Sequence, residues 1–502
     1  MRNAILSSCL ILICWNALSS SNTVVAELLA GVAKVDITDY DAGPVNDPLY
    51  VKALALRSGE TTVVLATVDA VSLGEIGRIG NDYLPAVRAE LEAKRRLRPS
   101  NILINASHCH GLVCADVMAR TVQAVEQALD HMVPVTVGSG TGHEDRIMEN
   151  RRIKLKSGRT ADVRHAYSLP PDDAVAEVGP IDPEIGLLRL DRVSGGTLAV
   201  VYNFAVHPIQ GVPGGKNTAD LVGYASKVIE ENLDGKPLAL FIQGCGGDIN
   251  PVNYKDTDFP RSAEPLGTRL GLSALGGLRS IECQPDDRLK LHSEILTLPR
   301  GDRTERIAAM EAEQRRLLGE LRGTSLNLKT FLPLVMKYQL DEEFPSNYVH
   351  RYLQEEKIGR DDLKQLDAEN CRNLEAYIRN IHTMEELTRV QTNLALLNKH
   401  QASLVASGKR TVDVEVCGLR VGDLLLITFP GELTVPIGMG LKERSPHPQT
   451  FVAGYTNGYI YYCPTAEQMQ NLGNAQEDSD CILAPEWQEQ FEACALQILQ
   501  EL

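Results

Sequence analysis

The chain has 502 residues, 43% of them hydrophobic and 23% charged, enough to bury a large core and ordinary for a globular protein. A formal charge of −16 with no basic block to offset it excludes the electrostatic footprint of a nucleic-acid-binding protein. The clustered bases Lys94-Arg-Arg-Leu-Arg98 close a helical pattern, where they complement the helix dipole.

At the N-terminus, Arg2, an apolar run over 5–18 and small residues up to Ala26 have the layout of a secretory signal peptide, residues 1–26, with cleavage expected after Val24-Val-Ala26. The protein is therefore expected to be exported, to the periplasm or the extracellular space. No later segment approaches the ~20 apolar residues of a spanning helix. Eleven cysteines include Cys9 and Cys14 in the leader, and the nine others are odd in number, so at least one thiol is free. They show no disulfide-framework spacing.

Strands are expected at 62–68, 101–105, 133–137 and 238–242, helices at 79–97, 118–129 and 224–233, and a hairpin over 188–204 turning at Ser194-Gly-Gly196. This alternation predicts an α/β fold built on a mixed, largely buried sheet. From about 303 to 409 the pattern becomes helical. Ile307, Met310, Leu317 and Leu321 mark one stripe, and Leu387, Val390, Leu394 and Leu397 another. They predict an inserted helical hairpin packed on the core rather than a partner-binding module. Strands resume at 410–416, 424–429 and 450–455, so residues 27–502 form one unit across the insertion.

Chemistry concentrates at strand ends. His108 and His110 lie in Asn105-Ala-Ser-His-Cys-His-Gly111, His207 in Asn203-Phe-Ala-Val-His-Pro208, and Glu432 in Pro430-Gly-Glu432. Imidazoles and a carboxylate at the ends of core strands are how a scaffold aims ligands at one metal ion. In an extended stretch, His108 and His110 would project to the same side. Cys109 and Cys114 flank His110 with irregular spacing and are read as small buried hydrophobes rather than thiolate ligands.

In this order these segments resemble the N-terminal catalytic domain of neutral/alkaline (non-lysosomal) ceramidases, zinc amidohydrolases that release fatty acid from ceramide. The resemblance begins at Gly31-Val-Ala-Lys-Val-Asp-Ile-Thr38 and includes Glu149-Asn-Arg151 and Asp220-Leu-Val-Gly-Tyr-Ala225. It continues through Gln243-Gly-Cys-Gly-Gly-Asp-Ile-Asn-Pro251 to Asn457-Gly-Tyr-Ile-Tyr-Tyr462. It implies a catalytic domain at 27–502, a Zn2+ cofactor held by His108, His207, Glu432 and Tyr462, with Tyr459 competing for the last place, and a small-molecule or lipid N-acyl substrate. It further implies that His110 handles protons or supports an oxyanion and that Arg151 sits near the scissile bond. A surface salt bridge to Glu149 or Glu144 is the alternative for Arg151.

Departures bear on substrate. Asn250 stands where the family has a serine, which removes an acyl-accepting nucleophile but keeps a hydrogen-bond donor. The loop Gly111-Leu-Val-Cys-Ala-Asp116 replaces a glycine-rich one, and a tyrosine and glutamate expected after the late motif are missing around Asn474. The family's further C-terminal β-sandwich is not expected before Leu502. The resulting expectation is an exported zinc hydrolase cleaving an amide by metal-activated water. The alternatives are a metal-binding relative without catalysis and a metal-dependent esterase.

Overall fold

The computed structural model describes residues 27–163, 169–254, 261–345, 349–471 and 475–502; the expected signal peptide lies outside them. Period-two burial builds the sheets. In β2 (Tyr50–Ser58), Val51, Ala53 and Ala55 enter one buried cluster, and Leu54 and Leu56 enter another on the opposite face. Both faces are covered, which is why the strands read as near-continuous apolar runs.

With β1 (Leu29–Asp36), β3 (Thr61–Val68), β4 (Ile102–Ala106), β5 (Val133–His143), β6 (Glu184–Arg192), β7 (Thr197–Phe204) and β8 (Leu238–Gln243), this strand forms an eight-stranded sheet of order β8-β7-β6-β5-β1-β2-β3-β4. The pairs β3/β4 and β7/β8 are parallel and the rest antiparallel. The sheet is mixed, as predicted. A second sheet runs β9 (Leu289–Pro299), β10 (Thr411–Val421), β11 (Leu424–Thr428), β12 (Thr450–Ala453), closed by a parallel β11/β12 pair.

The inner faces of both sheets share one core, in which Leu54, Leu65, Leu188, Val201 and Leu240 meet Leu419, Leu426 and Phe451. Helices cover the outside. α1 (Tyr83–Arg95) and α2 (Val117–Asp130) pack on the β1–β4 half. α3 (Asp220–Glu231) and α4 (Glu264–Leu278) pack on the β5–β8 half. The helix α3 begins four residues earlier than expected, with Gly223 accommodated inside it, close against Ala219.

The insertion holds four helices where a hairpin was expected: α5 (Thr304–Glu320), α6 (Leu328–Leu340), α7 (Val349–Lys357) and the 46-residue α8 (Asp362–Ser407). The hairpin proper is α5 against α8, sealed by Met310, Leu317, Val390 and Leu397, seven residues apart on each helix as an apolar stripe requires. Beyond it, α9 (Val435–Arg444), the short α10 (Gln476–Ser479) and α11 (Trp487–Glu501) complete the chain. Trp487, Phe491 and Ile498 of α11 cover the second sheet. No described helix is long and apolar enough to cross a membrane. All nine cysteines among the described residues are free; Cys109 is buried and Cys114 packs against the same core, as small hydrophobes do.

Candidate metal centre

Five loops, each leaving the C-terminal end of a strand (β4, β7, β8, β11 and β12), converge on one cleft. Asn105 ties three of them. Its side-chain carbonyl accepts the Gln243 N–H at 2.9 Å, and its amide donates to the Gly454 carbonyl at 2.8 Å and the Thr456 hydroxyl at 2.9 Å.

His108 lies just past β4, where the Ser107 and His108 N–H groups donate to the Val68 and Ala70 carbonyls. The stretch is not extended, because His108 has φ 64, a left-handed conformation rare outside glycine. His108 Nδ1 is 2.6 Å from the Val71 carbonyl, and His207 Nδ1, past β7, is 3.1 Å from that of Ile249. A carbonyl only accepts, so in each ring Nδ1 carries the proton and Nε2 keeps its lone pair. Glu432 opens the short strand Glu432–Leu433 after β11. Its Oε2 is 3.5 Å from His108 Nε2 and 3.2 Å from His207 Nε2.

All three side chains are buried, and their ligand atoms lie within 4.8 Å of one another. Burial pushes the His108 imidazole down to about 4 and also lowers that of His207, so both rings are neutral. Burial opposes ionisation of Glu432, but its close polar neighbours, among them the donating Tyr459 hydroxyl, hold its carboxyl well below the usual range. Two neutral nitrogens then aim lone pairs at a carboxylate with no proton to share, an arrangement that repels without a cation between them. The donor set, two neutral imidazoles and one carboxylate, fits zinc.

Both tyrosines singled out in the sequence reach this cluster. Tyr462 is directly opposite Glu432 in a parallel strand pair, with its hydroxyl 3.5 Å from His207 Nε2. The Tyr459 hydroxyl donates to Glu432 Oε1, so its oxygen is engaged on the carboxylate while Tyr462 faces the imidazole. Tyr455, which no sequence pattern marked, donates to Glu432 Oε2 at 3.0 Å. Burial and the neighbouring Glu432 raise both the Tyr455 and Tyr459 hydroxyls, so they remain protonated donors. Tyr455 and Tyr461 have φ 52 and 66. Backbone strain of order 1–3 kcal/mol per such residue persists where surrounding structure over-determines it, often at functional sites.

Arg151 is buried, which corrects the surface salt-bridge reading: Glu144 pairs instead with Arg146. Arg151 Nε donates to Glu477 at 2.6 Å, one Nη to the Gly247 carbonyl at 2.7 Å, and the other to Asn250 Oδ1 at 3.4 Å. The Asn250 amide donates to the Val163 carbonyl at 3.0 Å. Arg152 engages Glu477 and Asp478 at 3.1 and 2.8 Å. Glu477 of α10 supplies the carboxylate that both arginines engage; Asn474, around which the sequence departs from the family pattern, lies outside the described residues. Glu477 and Asp478 sit in an acidic run that reads as surface, and only their tertiary pairing with two arginines reveals otherwise.

His110 is exposed at the mouth of the cleft, its ring centroid 5.3 Å from that of His108. The cleft encloses about 270 Å³, and its lining includes the three candidate ligands, His110, Arg151 and Asn250. Lys399 of α8 lines it too, so the insertion forms part of the site.

No family model and no curated protein sequence matches the chain. Solved structures do match. The neutral ceramidase from Pseudomonas aeruginosa superposes with a TM-score of 0.58 at 15% identity, over 95% of this chain and 75% of that one. The fold is that of a neutral ceramidase. A ceramidase complexed with C2 gives the same TM-score at 16% identity, over 94% of this chain and 75% of that one. The structural match thus extends across nearly all of this chain.

Proposed function

We propose that this chain is a zinc-dependent amidohydrolase acting on an N-acyl compound, with residues 27–502 as its catalytic unit and residues 1–26 as an export signal. The observation that carries the reading is the buried His108, His207, Glu432 triad on a ceramidase fold. Zinc bound there would supply Lewis acidity, lowering the pKa of water toward 7 and polarising a carbonyl.

The chain's own residues would do the rest. The Val71 and Ile249 carbonyls hold both imidazoles with Nε2 presented. Tyr455 and Tyr459 fix the Glu432 carboxylate, and Tyr462 takes the fourth protein position, Tyr459 being already engaged. Arg151, its charge balanced by Glu477, stands beside Tyr462 with its guanidinium carbon 5.3 Å from the ring centroid. It is placed to donate to the oxygen on which negative charge develops. His110, accessible at the mouth, passes a proton to the departing amine. Asn250 holds Arg151 through Oδ1 and retains a second amide hydrogen for the cleft.

Metal content is the decisive measurement. Protein purified without chelator and offered zinc should carry close to one equivalent, and His207→Ala should lose both metal and amide hydrolysis. Wild-type protein holding less than about half an equivalent of zinc would sink the proposal. Full zinc occupancy without turnover of N-acyl lipids, N-acyl amino acids or simple esters would leave a metal-binding protein in its place. Turnover of esters alone would make it an esterase.

A further inference from the structure

The inserted α8 is fastened over the cleft by buried contacts. Arg389 donates to the Asp162 carbonyl at 2.7 Å and to its carboxylate at 2.6 Å, and His400 Nε2 is 2.6 Å from Asp480 Oδ1. Between these anchors the exposed Lys399 lines the same cleft as the candidate ligands. The Nζ lies 4.6 Å from the Tyr461 ring centroid, and the Tyr461 ring is 5.4 Å from that of Tyr459, the donor to Glu432. The positive charge therefore stands two aromatic rings from the metal ligands.

Carboxylates around the mouth are already engaged. Glu477 holds Arg151 and Arg152, Asp480 accepts from His400 and Gln476, and Glu75 accepts from Tyr461 and Asn81. Among the described residues, no carboxylate is in ion-pair contact with Lys399. Among the described residues its ammonium thus has no ion-pair partner at the mouth of the cleft, in a protein of formal charge −16. An ammonium so placed attracts anions and disfavours cations, and its field is focused by the cleft walls. Ile76, Ile209 and Val212 on the lining suit an acyl chain.

We propose that Lys399 recognises an anionic group on the amine portion of the substrate, so that the compound cleaved is an N-acyl amine bearing a carboxylate or a phosphate. The proposal rests on the hydrolase reading above. In the reaction, water oxygen bonds to the acyl carbon, the C–N bond breaks, and the amine nitrogen takes a proton, leaving a fatty acid and an anionic amine.

Three substrates test it on the zinc-loaded full chain: N-lauroylglycine, N-lauroylethanolamine phosphate and neutral N-lauroylethanolamine, with laurate release measured. Either or both anionic compounds should show kcat/KM about tenfold or more above the neutral one, and comparing the two identifies the preferred group. Lys399→Gln should remove that preference through KM with kcat unchanged, Lys399→Glu should reverse it, and Lys399→Arg should keep it. Equal turnover of all three, or an anion preference that survives Lys399→Glu, overturns the proposal. If none is hydrolysed, the hydrolase reading fails, and calorimetric binding of the same compounds decides the recognition role. Lys399→Glu must then weaken the anionic ligands about tenfold and spare the neutral one; unchanged binding is the contrary result.

Discussion

At the scale of single residues, the centre is defined by which atoms are already occupied. The Nδ1 protons of His108 and His207 go to backbone carbonyls, and both Glu432 oxygens accept tyrosine hydroxyls. What remains free is the face each group turns to its neighbours. Asn250 is tied the same way, donating to Val163 and accepting from Arg151. Asn250→Ala should therefore slow turnover about 10²- to 10³-fold, the usual cost of losing one oxyanion-stabilising contact, with zinc content unchanged and KM nearly so. Asn250→Ser restores a hydroxyl that can both donate and accept and should keep most of the rate. Full activity of the alanine variant would make the segment from Gln243 to Pro251 scaffold alone.

At the scale of elements, the close approach of that segment to the Glu432 strand depends on Gly247. A β-carbon there would lie 2.5 Å from the Glu432 carbonyl oxygen and 2.9 Å from that of Leu433, both backbone atoms. Gly247→Ala should push the strand aside at a cost of about 1–3 kcal/mol. Competition against a chromophoric chelator should show zinc affinity reduced tenfold or more, together with a lower Tm; unchanged affinity would mean the contact does not position Glu432.

Strands and helix stripes were legible in the sequence because period two and period 3.6 are local properties. Residues 197–204 and the seam of Met310, Leu317, Val390 and Leu397 fell where the pattern put them. The histidines and Glu432 were found because each follows a recognisable apolar strand. Tyr455, Glu477, Arg152 and Lys399 were not, because a charge in an exposed-looking run acquires meaning only from what another segment brings to it. The ties from Asn105 to Gln243 and to Gly454 span more than 130 and more than 340 residues of chain, and no periodicity encodes them.

At the scale of the whole molecule, buried acids make stability depend on pH. Asp220, at the start of α3, accepts the N–H groups of Gln210, Gly211 and Leu221, yet burial pushes its carboxyl up to about 6. Asp248 is raised to about 6 for the same first reason. An acid that holds its proton longer when folded stabilises the fold most below the unfolded pKa near 4. That contribution, on the order of 3 kcal/mol for one such group, is lost as pH rises through 6. Urea unfolding of chelator-treated protein should show stability falling between pH 4 and 7 from these groups. Asp220→Asn, whatever its absolute stability, should show a shallower fall; an identical slope would mean Asp220 is ionised throughout.

If Lys399 selects substrate as proposed, its placement on a helix outside both sheets would separate two jobs that many enzymes build from the same loops. Bond breaking, on the proposed function, would rest on turns at the ends of core strands, where almost any displacement disturbs several hydrogen bonds at once. On the proposed reading, selection of the molecule to be broken would rest partly on a segment that enters and leaves the core next to paired strands, after Pro299 and before Thr411. Variation in that segment can redirect the enzyme to new compounds while the reaction stays the same. Natural relatives differing mainly there would be expected to share a chemistry and diverge in diet.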